Sequence, residues 1–501
     1  MHIVYNMING VEYANISESI RKGEKVIKTY ENLGRVLDKE RGIFQNRKRG
    51  VFTYSIEKGY GKPPVDFVPE VNLSMGKIKL ILDFGDSFFI DEILKKNRFT
   101  NVIDEIGYGN PDTLRAMLSY YILCSMANSH AADWYEGNYA RILYPKANLT
   151  GQRISDFLTA IGDEYSYREF FKAYIEFLFC NVSDITDTGI LIDSTGLPND
   201  IHFPLTAINN HNGTISNEVR LIYVTQQDTG MPIYFRYCPG NIIDTTTLKR
   251  TMAELKESGI NTKFAILDAG YYSDENIRDL YESSVSFVTR LKANRALYKE
   301  LLMKHLPNIQ DKKNLVDYNG RYIYVKCVEC DLVDDYRGYA YICLDIERKS
   351  SETQKLFKQA KSKKLSNNDV HDKMQSQGVF VLISSRRIAK DKLLPIYYTR
   401  TQIEQIFDIG KNYADLLPLR VQNENTFRGH LLLTFMATVV CKLVQDKLKE
   451  ASMSPESMFL NLRNHKCKVY KHAIITQEEF KKANDSYKLF GIKCPVRIPI
   501  E

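Results

Sequence analysis

Four side chains suited to acid–base or phosphate chemistry recur at helical spacing within residues 397–411. They are Tyr397, Arg400, Glu404 and Lys411. At about 100° per residue, these four positions fall on one face of a helix. A carboxylate flanked by two cations suits a metal ion beside a phosphate, because the carboxylate can ligate the metal while the cations hold phosphate oxygens. The simpler alternative is a surface helix on which Arg400 and Glu404 form an i,i+4 ion pair.

Two aspartates elsewhere in the chain each follow a short apolar run. Asp193 follows Gly189-Ile-Leu-Ile, and Asp268 follows Phe264-Ala-Ile-Leu. Both runs predict buried strands that end at the aspartate. Carboxylates at strand ends of an α/β sheet can converge with one on a nearby helix, provided that cations offset their repulsion. Such a set could hold two divalent metal ions for in-line phosphoryl transfer. A turn or a helix cap explains each aspartate more simply when it is taken alone.

The four-residue pattern also matches a signature of mobile DNA. Tyr397-x2-Arg400-x3-Glu404-x6-Lys411 resembles the YREK signature of DDE transposases from bacterial insertion sequences, in the insertion-sequence-four superfamily. All four members of the signature are present in this chain. These four residues are called the helical stripe below. The resemblance makes the helical stripe a candidate site for DNA chemistry rather than an ordinary surface.

The two aspartate segments add to that resemblance. Leu-Ile-Asp193-Ser-Thr and Leu-Asp268-Ala-Gly-Tyr are similar to the first and second aspartate motifs of the family, so that Glu404 would complete the triad. Residues 236–244 also resemble a family segment between the two aspartates. The resemblance covers residues 185–445 and implies an α/β fold with an RNase H-like catalytic core.

The function implied by the resemblance is that of a DNA transposase, which cuts the ends of its insertion sequence and joins them to target DNA by two-metal phosphoryl transfer. The implied catalytic and metal-binding residues are Asp193, Asp268 and Glu404. The residues implied to hold DNA phosphates are Tyr397, Arg400 and Lys411. The implied cofactor is Mg²⁺, for which Mn²⁺ can substitute.

The implied partners are the terminal inverted repeats and target DNA, bound by a homodimer in a synaptic complex.

Two alternative functions stay open at this point. One is an RNase H-like nuclease or resolvase that cuts without joining, and the other is a catalytically inactive DNA-binding derivative. The presence of all three acidic residues argues against the inactive derivative.

Composition narrows the class of protein further. The chain has 501 residues, of which 44% are hydrophobic, enough to fill the cores of several domains. Its net charge is +7, so a nucleic-acid surface must come from local clustering of basic side chains. The nine cysteines lack the spacing of a disulfide framework, which fits a reducing cytosol. Together with this composition, the resemblance to transposases of bacterial insertion sequences implies a cytoplasmic bacterial protein that is associated with the nucleoid when it is bound to DNA.

Membranes and nucleotide cofactors are not expected as partners. The longest apolar stretch near the C-terminus, residues 431–441, is too short to cross a bilayer and predicts a buried helix behind the Glu404 helix. No GxxxxGK[ST] segment is present, so no nucleotide cofactor is expected. The N-terminus shows neither the basic segment nor the long apolar segment of a signal peptide.

Residues 1–66 predict a small basic module that could bind DNA. Basic side chains outnumber acidic ones in this region, and Arg47-Lys48-Arg49 lies among aromatic residues. The aromatic residues are Phe44, Phe52 and Tyr54. Basic groups among aromatic rings can follow a nucleic-acid backbone. A solvated β-rich module explains the same composition equally well.

The rest of the chain divides into further regions. Residues 67–180 show helical periodicity and could contact the DNA ends. Residues 185–293 and 386–445 predict the catalytic core, in the order β-β-β-α-β-α-β before it is interrupted. Residues 294–385 predict a β-rich insertion domain, and residues 446–501 predict a C-terminal helical tail. The basic residues of the insertion that could bind DNA are Lys361, Lys363 and Lys364.

Overall fold

The computed structural model describes residues 1–8, 11–22, 25–64, 67, 79–181, 189–199, 203–211, 214–362, 370, 373–374, 376–412, 416–417, 419, 421–451 and 453–500. The chain forms two compact units, Met1–Lys77 and Ile78–Ile500. The first unit therefore extends beyond residue 66, where the sequence placed its boundary.

The first unit contains a six-stranded antiparallel sheet in which each strand pairs with the next. Its strands are β1 (His2–Ile8), β2 (Val11–Lys22), β3 (Lys25–Asp38), β4 (Ile43–Asn46), β5 (Gly50–Ser55) and β6 (Gly59–Gly61). Phe44 and Phe52 pair directly across β4 and β5, and Tyr54 follows on the same face. All three rings are buried in the small core of the sheet. The prediction that they accompany the basic residues on a nucleic-acid surface is therefore wrong.

The second unit begins with a short strand and a helical region. Its elements up to residue 181 are β7 (Leu80–Asp83), α1 (Gly85–Lys96), α2 (Phe99–Asp104), α3 (Pro111–Leu123), α4 (Ala131–Gly137), α5 (Ala140–Leu143), α6 (Gly151–Ile161) and α7 (Glu164–Asn181). Local signals start some of these helices. Asn110 caps α3 by accepting the Thr113 N–H at 3.1 Å, and Pro111 occupies the first helical position. The apolar faces of these helices share one core with the sheet that follows.

A ten-stranded sheet forms the centre of the second unit. Its strands are β8 (Gly189–Pro198), β9 (Ala207–His211), β10 (Thr214–Gln226), β11 (Pro232–Pro239), β12 (Phe264–Leu267), β13 (Ser286–Arg290), β14 (Leu315–Tyr318), β15 (Arg321–Val333), β16 (Tyr336–Asp345) and β17 (Val379–Ser384). Their order is β11-β10-β8-β12-β13-β17-β16-β15-β14, and β9 pairs with β10. β12 is parallel to both of its neighbours, β8 and β13. β12 is apolar throughout, as expected of a parallel strand covered on both faces.

Helices cover this sheet. They are α8 (Asp244–Glu257), α9 (Asp274–Glu282), α10 (Ala296–His305), α11 (Ile346–Ser362), α12 (Lys390–Tyr398), α13 (Thr401–Asn412) and α14 (Glu424–Leu448). The observed order from β8 to β13 contains one strand more than predicted, because β9 and β10 form a hairpin before β11. The fold class is mixed α/β, as the sequence indicated.

The strands of the predicted insertion do not form a separate sheet. β17 pairs antiparallel with β13, and β16, β15 and β14 follow outward from it. The pairing extends the core sheet because it supplies hydrogen-bond partners to the open edge of β13. The prediction of a self-contained insertion domain over residues 294–385 is therefore wrong in this respect.

α14 is the long apolar helix that packs against α13. Its residues 431–441 are all buried, as the sequence indicated. Its Phe435 ring packs against the rings of Tyr223 and Phe235, with centroid separations of 5.9 and 5.2 Å. By length and composition it is the single helix of the described residues that could cross a membrane, but most of it is buried inside the protein. Its apolar character is that of a core helix.

The C-terminal region is not the helical tail that the sequence indicated. Its elements are α15 (Pro455–Arg463), β18 (Lys466–Val469), β19 (Ala473–Thr476), α16 (Lys481–Phe490) and β20 (Arg497–Pro499). The strands join β7 in a four-stranded sheet of order β20-β19-β18-β7. The helical prediction is wrong because β18 pairs with a strand almost 400 residues earlier in the chain, and local periodicity cannot reveal such a distant partner.

Candidate active site

Asp193 lies in the middle of β8 rather than at its end. The strand continues to Pro198, and residues 193–198 remain paired with β10, where Asp193 faces Tyr223. The predicted strand end at Asp193 is wrong, because β10 holds the polar Ser-Thr-Gly segment in an extended conformation. On the other side, β12 pairs only with residues 189–192. Asp193 is thus the first residue beyond the parallel pairing.

Asp268 lies beside Asp193 across two parallel strands. Leu267 is the last residue of β12 and is aligned with Ile192 of β8. The aspartates that follow these two residues therefore occupy neighbouring positions at the same edge of the sheet. Thr289 of β13 donates its hydroxyl to the backbone oxygen of Asp268 at 3.2 Å. The register thus brings together two aspartates that are far apart in sequence.

The helical stripe is divided between α12 and α13, and Arg400 lies in the turn between them. The prediction of one continuous helix through residues 397–411 is therefore wrong. Thr399 and Thr401 donate their hydroxyls to backbone carbonyls three residues earlier, at 2.6 and 2.9 Å. Such bonds compete with helical pairing and favour a tighter turn. The break gives Arg400 a position at the junction of two helices.

Arg400 joins two of the three candidate carboxylates. Its Nη1 lies 2.6 Å from Asp268 Oδ1, and its Nη2 lies 3.6 Å from Glu404 Oε1. The Arg400 side chain is only 21% exposed, whereas that of Glu404 is 57% exposed. The i,i+4 pair of an ordinary surface helix is therefore present, but it is the longer of the two contacts. The closer partner comes from the sheet, which favours a site built from several elements.

The Asp193 carboxylate is buried, and burial disfavours its charged form. Burial raises the pKa of Asp193 to about 7, against the opposing effects of Arg400 and of the Ser194 N–H. The charges of Asp268 and Asp244 add to the rise. The Ser194 N–H donates to Asp193 Oδ1 at 2.8 Å. A further positive charge at this edge of the sheet would be favourable.

The side-chain oxygens of Asp193, Asp268 and Glu404 are of the chemical type that binds divalent metal ions. Carboxylate oxygens are the ligands that Mg²⁺ prefers. Within the described ranges, no three His, Cys, Asp or Glu side chains are gathered closely enough to form a ready-made metal site. The Arg400 guanidinium pairs with Asp268 and Glu404, so a metal ion held by these two carboxylates would compete with that cation for them.

Comparison with known proteins identifies the family of the part of the chain that holds the candidate carboxylates. The family model described as Transposase DDE domain matches residues 185–440, which is just over half of the chain and includes all three candidate carboxylates. The chain belongs to the DDE transposase family. It is therefore a DNA transposase, an enzyme that acts on DNA, and DDE transposases generally use divalent metal ions. The predicted transposase function is confirmed.

No curated protein matches the transposase. Among solved structures, it is similar to the piggyBac transposase synaptic complex with hairpin DNA. That similarity covers 76% of this chain and 79% of the other, with 12% sequence identity and a TM-score of 0.41.

In the transposase, Lys411 reaches the strand that carries Asp193. Its Nζ donates to Thr195 Oγ1 at 2.6 Å, two residues beyond Asp193. Burial lowers the pKa of Lys411, while the nearby carboxylates of Glu218 and Asp408 oppose that shift. The structure thus brings the fourth member of the stripe to the candidate site through β8, although the stripe is not one helix.

Tyr397 is buried next to Arg400. Its side chain is only 5% exposed, and its ring centroid lies 5.9 Å from the guanidinium carbon of Arg400. Burial raises the pKa of Tyr397 to about 12, so the hydroxyl stays protonated at neutral pH. This burial leaves little surface for the predicted contact with a DNA phosphate. The ring instead supports Arg400 through a cation–π contact.

Three charged side chains of this region were not identified from the sequence. Asp244, at the start of α8, pairs with Arg220 of β10 at 2.5 Å. Lys292 follows β13, where burial and a neighbouring arginine lower its pKa and the charges of Asp244 and Asp268 oppose that shift. The similarity of residues 236–244 to a family segment was the available signal for Asp244. Arg220 and Lys292 carry no comparable signal.

The basic residues of the first unit form an exposed turn between β4 and β5. Asn46 Oδ1 accepts the N–H groups of Lys48 and Arg49 at 3.1 and 2.8 Å, which fixes the turn. The Arg49 guanidinium lies 3.9 Å from the centroid of the Tyr60 ring. Arg47, Lys48 and Arg49 therefore project into solvent from a well-defined turn.

The basic residues of the predicted insertion are only partly described. Lys361 lies in the last turn of α11 and is exposed. Lys363 and Lys364 lie outside the described residues.

Proposed function

We propose that this transposase cuts the ends of its insertion sequence and joins them to target DNA, with Asp193, Asp268 and Glu404 as its catalytic carboxylates. The observation that carries the proposal is the double pairing of Arg400, with Asp268 at 2.6 Å and with Glu404 at 3.6 Å. Asp193 lies next to Asp268 in the register of β8 and β12. Cutting and joining are both phosphoryl transfers, so one site can carry out both.

The cofactor that we propose is Mg²⁺, with Mn²⁺ as an effective substitute. The three carboxylates would hold it, since hard oxygen donors suit these ions. When bound, the metal supplies activation of the attacking water or 3′-hydroxyl and stabilisation of the leaving oxygen. The buried carboxylate of Asp193 beside Asp268 supports this assignment, because a bound cation would favour the charged form of both groups.

The cations of the stripe have separate roles in the proposal. Arg400 exchanges its carboxylate partners for phosphate oxygens of the DNA end, to which a planar guanidinium can donate two parallel hydrogen bonds. Lys411 holds a second phosphate from the Thr195 side of the site. Tyr397 keeps Arg400 in place and does not bind the phosphate directly, because its side chain is buried.

We further propose that the chain belongs to the insertion-sequence-four superfamily and has an RNase H-like core. The complete signature from Tyr397 to Lys411 supports the first assignment. The strand order β11-β10-β8-β12-β13 supports the second, because a three-stranded antiparallel meander leads into parallel strands joined by α8 and α9.

The working assembly that we propose is a homodimer in a synaptic complex. An insertion sequence has two ends, whereas one chain presents one candidate site. Two copies on the terminal inverted repeats would therefore treat both ends together. The setting for this reaction is the cytoplasm of a bacterium, at its nucleoid.

The test is cleavage of labelled end DNA by three single variants. Asp193→Ala, Asp268→Ala and Glu404→Ala should each abolish Mg²⁺-dependent cleavage while gel-shift affinity for the same DNA and thermal melting stay close to those of the unaltered protein. Any variant that still cleaves would remove that residue from the triad. A pre-cut end offered with target DNA tests joining, and cleavage without joining would make the protein a nuclease.

A further inference from the structure

The carboxylate of Asp244 contacts the residue that follows Asp193. Its Oδ1 accepts from Ser194 Oγ at 2.6 Å and from Arg220 Nη1 at 2.5 Å. Ser194 also donates its N–H to Asp193 Oδ1 at 2.8 Å. The ion pair is largely removed from water, because the side chains of Arg220 and Asp244 are 11% and 21% exposed. Asp244 therefore holds the stretch of β8 from which Asp193 projects.

The same carboxylate packs against the turn that follows Asp268. A Cβ added at Gly270 would lie 2.5 Å from Asp244 Oδ2, so the absence of a side chain at Gly270 permits this close approach. Gly270 belongs to the single 3₁₀ turn Ala269–Tyr271, which begins directly after Asp268. One oxygen of Asp244 thus faces the Asp193 segment, and the other faces the Asp268 segment.

A purely structural role explains this arrangement less well. A negative charge in the first turn of α8 is favourable, but no side-chain hydrogen bond caps that helix. A buried ion pair is also a weak source of stability, because the cost of removing its charges from water offsets their attraction. What distinguishes Asp244 is that it contacts both segments that carry candidate metal ligands.

We propose that Asp244 is a positioning residue that sets the separation of the Asp193 and Asp268 carboxylates for a divalent metal. The inference rests on the proposed function, since it takes those two aspartates as metal ligands. Arg220 balances the charge of Asp244, so the network orients the ligands while adding little net negative charge. Groups that orient metal ligands commonly affect metal affinity by about 10- to 100-fold.

The direct test measures metal affinity without catalysis. Mg²⁺ alone is titrated into the purified full-length protein, and binding is followed by calorimetry and by the rise in melting temperature. Asp244→Ala should weaken Mg²⁺ binding by about 10- to 100-fold, and saturating metal should restore much of the DNA-end cleavage. Asp244→Asn keeps an oxygen acceptor for Ser194 and Arg220, so it should lie closer to the unaltered protein.

Glu254→Ala is the matched control. Glu254 lies on the same helix and pairs with Arg236 of the same sheet at 3.3 Å, with exposures of 23% and 10% that resemble those of the Asp244 pair. Its variant should bind Mg²⁺ normally. Unchanged affinity in Asp244→Ala, or an equal loss in Glu254→Ala, would overturn the inference. Should Asp244→Ala fail to fold, Asp244→Ser decides by the same titration, because it removes the second carboxylate oxygen: it should weaken Mg²⁺ binding, and normal affinity would overturn the inference.

Asp193→Ala in the same titration separates this inference from the proposed function. Normal Mg²⁺ binding by Asp193→Ala would show that the proposed metal site itself is wrong. Loss of binding in Asp193→Ala, together with normal binding in both Asp244 variants, would reject the positioning role alone.

Discussion

Arg400 sets the charge balance of the active site because a single guanidinium serves two carboxylates. It pairs with Asp268 and Glu404 at once and also lowers the pKa of the more enclosed Asp193. Without this guanidinium, the carboxylates would repel one another with less compensation. In the proposed function the same guanidinium binds a DNA phosphate, and it would then have to leave its carboxylate partners.

Replacement of Arg400 by alanine should slow cleavage of end DNA by about 10- to 150-fold. A hydrogen bond to a charged group contributes about 1.5–3 kcal/mol, and each 1.36 kcal/mol is tenfold in rate. Single-turnover cleavage at saturating Mg²⁺ measures the effect. Arg168→Ala, which removes an exposed i,i+4 pair with Glu164 on α7, is the matched control and should cleave normally. A sharply lowered melting temperature in Arg400→Ala would instead identify a structural pair.

His430 illustrates a buried group with a structural role. Its Nδ1 accepts from the Tyr121 hydroxyl at 2.9 Å, and its Nε2 donates to the Leu416 carbonyl at 3.3 Å. Burial lowers the pKa of His430 to about 4. The ring is therefore neutral in the folded protein at pH values where the unfolded chain would protonate it.

Acid should consequently destabilise the protein through His430. Between about pH 6.5 and pH 4 the unfolded state binds the additional proton, so the free energy of unfolding falls as pH falls through that window, by up to about 3 kcal/mol. Urea unfolding at pH 7.5 and pH 5 should show this difference, and His430→Gln should reduce it. His130→Gln, at an exposed position, should leave it unchanged. An equal pH dependence in His430→Gln would exclude this residue as the cause.

At the scale of elements, the sequence predicted those helices and strands whose bounds depend on short-range patterns of residues. β12 was predicted from its apolar run and ends at Leu267, one residue before the predicted end at Asp268, because a strand buried on both faces shows its approximate length in its composition. β8 extends beyond Asp193 only because β10 pairs with it. The break before α13 depends on the hydroxyls of Thr399 and Thr401, whose preference for backbone carbonyls is visible only in the structure.

The site was predictable to the extent that its residues share a motif spacing. Arg400 was identified by that spacing, and the structure places it against Asp268. Asp244, Arg220 and Lys292 are individually ordinary charged residues, and only the sheet register brings them near the aspartates. Residues joined by tertiary contact alone leave no periodic trace in a single sequence.

The contact between α15 and α1 permits a stability prediction at this scale. Arg463 Nε lies 2.8 Å from Asp86 Oδ2, and the Asp86 side chain is fully buried. Arg463→Ala would leave that carboxylate without its cation, which should lower the free energy of unfolding by about 3–5 kcal/mol. Chemical denaturation measures the change. Arg153→Ala removes an exposed pair with Asp156 and should cost less than about 1 kcal/mol. Equal effects of both variants would contradict the argument.

At the scale of the whole molecule, the candidate catalytic residues and the exposed basic turn between β4 and β5 belong to different units. The candidate carboxylates lie in Ile78–Ile500, whereas Arg47, Lys48 and Arg49 lie in Met1–Lys77. The first unit has its own aromatic core, and Arg49 contacts the Tyr60 ring at the edge of that core, so the exposed turn can be altered without replacing a core side chain. Binding of terminal-repeat DNA and cleavage of it should therefore be separable by mutation.

Neutralisation of the turn should weaken binding in a salt-dependent manner. Each phosphate contact releases counterions and contributes about 0.9 to the slope of log affinity against log salt, so changing Arg47, Lys48 and Arg49 to glutamine should reduce that slope by up to about 2.7. Gel-shift titrations of terminal-repeat DNA at several salt concentrations give the slope.

The triple change of Lys481, Lys482 and Lys488 to glutamine is the control, because it removes the same charge from exposed positions of α16. Equal losses in both triples would mean that total charge alone attracts DNA. An unchanged slope after alteration of the turn would assign DNA-end recognition to the helices of residues 85–181, which are the other region from which contacts with the repeat were expected.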